Sequence, residues 1–141
     1  ALPRALAAVA ALCDQRESAV GVVVMLARHV RQLSLVHHLR ETGAPRAGWG
    51  PMLGVPPFVV DKLIAQARSY APAALSVATR RLANADRALK GDITLSSTPP
   101  SPDAAFTGPQ IKALGRDLAE RVVLEHLVRG IVGLASASRA A

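Results

Sequence analysis

Apolar positions recur every three or four residues along most of this chain, the period of a buried helix face. The repeat is clearest between Gly54 and Asp92. After Gly54-Val55-Pro56-Pro57-Phe58, the residues Val59, Leu63, Ala67 and Tyr70 share one face of a first helix. Ala71-Pro72 opens a second helix, in which Leu75, Ala78, Leu82, Ala85 and Leu89 share a face. Pro72 suits a first turn, where its missing N–H has no partner to lose. Gly91 suits the far end, because a left-handed glycine closes a helix. The stretch predicts an αα-hairpin, two helices at a tight join.

The flanking segments read the same way. Pro3 to Leu12 predicts a helix, and Asp14-Gln15-Arg16-Glu17 a polar break. A long helix is expected from about Ser18, a suitable N-cap, to Glu41, with Gly43 closing it. Its first half is apolar on every side, which implies burial between other helices. In its second half Val30, Leu33 and His37 or Val36 are expected inward, and Arg28, Arg31, Gln32 and His38 outward. Ala44 to Gly50 is rich in turn formers, and Pro51 to Gly54 predicts one short helical turn. This short-helix, turn, longer-helix order has the look of a helix-turn-helix. Yet Phe58, Val59 and Val60 fill the first turn, where a recognition helix needs polar groups for base edges.

Residues 93–108 have no apolar period. Pro99, Pro100 and Pro102 forbid a regular helix there and favour an extended Ser/Thr/Pro-rich loop. Residues 109–134 are expected as the final helix of the same domain, and 135–141 as a frayed tail. That helix carries two stripes, Ile111, Leu114, Leu118 and Val122 beside Val123, Leu127, Ile131 and Leu134. Opposite charges four apart pair Arg116 with Glu120, Asp117 with Arg121 and Glu125 with Arg129. Asp86 and Lys90 are spaced likewise at the end of the hairpin. The fold class is all-α, a helical bundle of about five or six helices, with residues 1–92 as its core.

Composition sharpens this picture. Half the residues are hydrophobic but only 3% are aromatic, so the core must be built from Ala, Leu and Val. The length of 141 residues allows one domain with a modest core. Net charge is +7. Up to Asp92 there are 12 basic and 6 acidic residues, and beyond it 5 and 4, so the excess lies with the first part. This suits nucleic acid, an acidic partner or an anionic surface, and equally a soluble protein from an arginine-rich genome. The single Cys13 permits no intrachain disulfide, and a lone thiol suits a reducing cytoplasm. The apolar run Ala19 to Ala27 is about half of the ~18 residues that span a bilayer, so no membrane span is expected.

Candidate chemistry is sparse. No Walker-type Gly-Lys-Ser/Thr occurs, and Gly43, Gly48, Gly50 and Gly54 lack dinucleotide-fingerprint spacing. His37 and His38 are adjacent, so on a helix they point about 100° apart and cannot share a metal. No Gly-x-Ser-x-Gly elbow is present. Trp49, Phe58 and Tyr70 can each stack on a base or plug a bundle end. No catalytic, cofactor or metal residue is assigned. An enzyme site without a sequence motif would show as a buried polar cluster around His126 and Glu125.

The hairpin does carry a resemblance. Gly54-Val55-Pro56-Pro57-Phe58-Val59-Val60, then Lys62-Leu63 and Gln66-Ala67-Arg68, followed by Leu82-Ala83, Ala85-Asp86 and Ala88-Leu89-Lys90-Gly91, resembles the C-terminal domain of the delta subunit of the bacterial DNA polymerase III clamp loader. The best-matching core is Leu26 to Asp92. Relatives in the family cross the 93–108 region in fewer residues. The resemblance implies a non-catalytic, cofactor-free collar domain that oligomerises in the complex that places the sliding clamp on primed DNA. It implies the loader's ATPase subunits and the delta-prime subunit as partners, with no membrane and a bacterial cytoplasmic setting. The clamp is gripped by an N-terminal domain that relatives carry, with an AAA+-like domain, ahead of this one, so the sequence is expected to be a fragment. Lys62, Arg68, Arg80, Arg81, Arg87 and Lys90 are candidate contacts to DNA or acidic partners. Leu75, Leu82 and Leu89 are candidate collar-interface residues. The alternative is a small basic helical DNA-binding module.

Overall fold

The second helix, α2 (Ala19–Glu41), organises the structure. Ser18 caps it: its hydroxyl accepts the Gly21 N–H at 3.2 Å, satisfying one donor of the open first turn. Gly43, at φ +66°, ends it in the left-handed conformation. The Ala44 N–H then reaches the Leu39 carbonyl at 3.1 Å, the bond of a Schellman closure. Val30, Leu33, Val36 and Leu39 are buried along one stripe.

The computed structural model describes residues 1–90, 113 and 115–140. Around α2 lie α1 (Leu2–Asp14), a 3₁₀ turn at Arg46–Gly48, α3 (Trp49–Leu53), α4 (Pro57–Ala67), α5 (Pro72–Leu89) and α6 (Arg116–Ala140). Packing follows a simple order. α3 sits on α4, α4 on α2, α2 on α5, α5 on α6, and α6 on α1. No strand occurs among the described residues. The fold is all-α, as the period requires.

The hairpin forms at Pro57–Ala67 and Pro72–Leu89. Its join is held from outside. His37 Nε2 lies 3.1 Å from the Ala67 carbonyl and 2.8 Å from the Tyr70 carbonyl, so its N–H donates to the open end of α4. This places the start of α5 beside the C-terminal half of α2, and α5 runs back antiparallel to it. Leu75, Ala78, Leu82 and Ala85 are buried as the stripe predicts, and Leu89 is half-buried. Each buried leucine contributes about 2 kcal/mol relative to exposure.

Four expectations are corrected. The first half of α2 is not covered all round: Val24 and Met25 are each 59% exposed. Gln32 does not simply face out; it is half-buried and donates to the Leu53 carbonyl at 3.0 Å. The core stripe of α6 is Ala119, Val123, Leu124, Leu127 and Val128, and Leu118 is exposed. Finally, α6 does not fray at Ala135. It continues to Ala140, Ala135 is buried, and Ser138 accepts the Ala71 N–H at 3.3 Å. The loop expected at 93–108, the helix start at Pro109, the Gly91 closure and the stripe positions Ile111 and Leu114 lie outside the described residues.

α1 closes without glycine. Arg16 takes φ 56°, and the Glu17 N–H bonds the Leu12 carbonyl at 3.0 Å. A side chain in that conformation costs about 1 kcal/mol. On α6, ion pairs form at Arg116–Glu120 and Arg121–Glu125, each 3.0 Å. Arg121 is thus taken by Glu125, where the expected partner was Asp117.

Candidate interaction surfaces

No polar or charged side chain is fully buried among the described residues, and no group of three His, Cys, Asp or Glu side chains could hold a metal there. His126 is exposed, and Glu125 is engaged by Arg121. The buried cluster that an enzyme reading calls for is not formed at this place. Cys13 is half-buried, and burial pushes its thiol upward, only partly offset by the nearby Arg121. Such a thiol is a poor nucleophile.

What the structure offers is surface. The first feature is the corner where α3 meets α4. Trp49 is buried and its Nε1–H donates to the Ala44 carbonyl at 2.9 Å. Arg46 lies 5.7 Å from the Trp49 ring centroid and pairs with Asp61. Gly54 closes α3 at φ +65°. Gly50 allows a close backbone approach, since an added Cβ would sit 3.2 Å from the Val55 carbonyl oxygen. This braced corner holds Met52 and Phe58 in solvent, 58% and 71% exposed. Of the three aromatics noted in the sequence, only Phe58 is displayed: Trp49 is buried and Tyr70 half-buried.

The basic candidates distribute over two helices. Lys62 on α4 and Arg68 just beyond it are exposed, as are Arg80, Arg87 and Lys90 on or after α5. Lys90 pairs with Asp86 at 2.8 Å. Arg81 is half-buried, with its guanidinium against Gly130 of α6. It therefore helps join two helices. The apolar candidates fare differently. Leu75 and Leu82 are committed to the chain's own core. In the free chain neither displays a face to a neighbouring chain. Leu89 is half-buried and packs against that core.

The second feature is a groove of about 470 Å³ between α2 and α5. It is lined by Val24 and Ala27 from α2 and Ala83 from α5, with Arg31 and Lys90 also in the lining. Recognising it requires knowing how two helices sit side by side, which no local pattern gives.

By length and composition alone, α2 could cross a membrane. Its stripe from Val22 to Leu39 is instead used against α4 and α5, the role of a core helix.

Among known families, the chain matches "DNA polymerase III delta subunit, C-terminal domain" over residues 1–94. The match extends past the Leu26–Asp92 core to take in α1, and it ends before α6. No curated protein and no solved structure matches the chain.

Proposed function

The chain belongs to the family formed by the C-terminal domain of the DNA polymerase III delta protein, and from that premise we propose that its work is assembly. It is the oligomerisation domain of a clamp-loader component, non-catalytic itself, acting in the bacterial cytoplasm during replication. Its partners are the loader's ATPase subunits and the delta-prime subunit. The sliding clamp and primed DNA are reached through the rest of the complex. The family match carries this reading. It is supported by an Ala/Leu/Val bundle that leaves large apolar side chains exposed at Val24, Met25, Met52 and Phe58.

The test is to mix the domain with the ATPase and delta-prime subunits of the same bacterium and weigh the products by native mass spectrometry. A defined hetero-oligomer with one copy of this chain supports assembly. A monomer that ignores those subunits sinks it.

A second reading is favoured by charge. The net +7 and the exposed Lys62, Arg68, Arg80 and Arg87 suit phosphate contact. A DNA-binding module would bind duplex by itself, and its affinity would fall steeply with salt.

A further inference from the structure

α2 presents more apolar surface than this chain covers. Only 33% of its most apolar stretch is buried. Val24 opens into the groove shared with α5, so the uncovered surface and the concavity coincide.

The groove has an order. Because α5 runs antiparallel to α2, Arg31 and Thr79 lie at one end, and Val24 lies with Asp86 and Lys90 at the other. The lining spans residues 23–34 on α2 and 79–90 on α5. At 1.5 Å rise per residue that is about 16 Å, three turns of helix. Between the ends the lining includes Ala27 and Ala83, whose small side chains let another backbone approach closely. A cation therefore stands at each end of an apolar trough. Asp86, the one acidic residue in the lining, pairs with Lys90, so the lining keeps a net charge of +1, carried by Arg31.

We propose that this α2/α5 groove receives an acidic amphipathic helix from a partner subunit, with a carboxylate meeting Arg31 and an apolar stripe meeting Val24, Ala27 and Ala83. The proposal rests on the assembly reading and names the surface that performs it. Charge selects the occupant. A second copy of this chain would bring another +7 to a cationic lining. Nucleic acid would use the cations and leave the apolar lining bare. A bilayer surface is flat and does not enter a trough between two helices.

The experiment measures binding of the full chain to the ATPase and delta-prime subunits. Ala83→Glu and Arg31→Glu alter exposed groove positions, and Ala8→Ser alters an exposed position on α1, away from both surface features. Thermal melts followed by circular dichroism confirm that each variant folds. The expected result is that both groove variants bind at least about tenfold more weakly, while Ala8→Ser stays within about twofold. A wild-type complex that the groove variants join equally well overturns the groove and leaves assembly standing. No wild-type complex at all removes the assembly reading and this proposal with it. Uptake by phosphatidylglycerol vesicles or by duplex DNA that Ala83→Glu abolishes, without binding to those proteins, assigns the groove elsewhere and also overturns the proposal.

Discussion

Leu75→Ala separates two roles for the hairpin stripe that the amino-acid pattern leaves joined. If Leu75 faces a neighbouring protein, truncating it weakens binding and leaves the isolated domain intact. If it belongs to the core, the isolated domain itself loses stability. Leu75 is 2% exposed, on a helix clasped by both α2 and α6. The substitution deletes three carbons. At about 0.8 kcal/mol per buried CH₂, with a further cost for the cavity left behind, the loss is about 3 kcal/mol. For a chain of this length that is a large part of the whole, which is of order 10 kcal/mol. The midpoint of thermal unfolding should fall by about 10 °C. Urea unfolding of the free domain gives the same quantity with less extrapolation in temperature. The exposed Val24→Ala serves as the comparison and should change stability by less than about 0.5 kcal/mol. A loss below about 1 kcal/mol for Leu75→Ala, in a domain with an unchanged urea slope, would refute its assignment to the core.

Other perturbations probe individual contacts. An added Cβ at Gly130 would sit 2.5 Å from Arg81 Nη1, the far end of a flexible side chain. Gly130→Ala should therefore gain little alone, but about 1 kcal/mol of helix propensity once Arg81→Ala clears the space; a urea double-mutant cycle showing no coupling would contradict this. His37→Phe leaves the Ala67 and Tyr70 carbonyls without their donor and should cost about 1–3 kcal/mol, with faster amide exchange around the α4–α5 join. Exchange unchanged at residues 67–72 would count against the clasp. Burial favours the neutral Cys13 thiol, so its alkylation in the folded chain should set in at higher pH than in urea-unfolded chain. Equal rates in the two states, measured with iodoacetamide across alkaline pH, would show that the thiol is not shielded.

The helices were legible because apolar period, caps and breakers are local. Ser18, Gly43 and Pro72 each act within a turn of their own position, and each sits where the chemistry of that position requires. The α5 stripe was legible for the same reason: polar residues mark its outer side. In the first half of α2 no polar residue marks a side, so the pattern could not say that Val24 and Met25 would stay uncovered. Leu118 fails similarly, since two adjacent stripes on one helix exceed what α1 and α5 can cover. Gln32 and His37 show a different limit. A sequence marks them as polar, but the carbonyls they reach belong to other helices, 21 and 30 or more residues away. Candidate sites suffer most. A leucine stripe serves a core and an interface equally well, and only burial distinguishes Leu75 and Leu82 from a docking face. The groove is a relation between two helices and has no signature in either.

The extent of the family match and the extent of the folding unit differ, and the difference has a measurable consequence. The match ends at residue 94. Yet α1, inside the match, packs chiefly on α6, outside it. α6 also brings Val123, Leu124 and Leu127 to the common core. A fragment of residues 1–90 therefore loses the surface that holds α1. A helix of 13 residues is marginal in water by itself, so α1 should melt when α6 is removed. α2, α4 and α5 retain one another, and their amides should stay protected, at reduced stability. Hydrogen exchange on the fragment should show residues 5–13 exchanging within about tenfold of unstructured rates, because local opening there costs almost nothing. Adding a peptide of residues 113–141 should restore protection to that segment in particular. If α1 keeps its protection in the fragment without the peptide, it is held by α2 or α5 instead, and the order of layers given for the fold is wrong. If the prediction holds, domains cut for assembly experiments must include α6, since a boundary drawn at the family match would remove the support of a helix that the match itself contains.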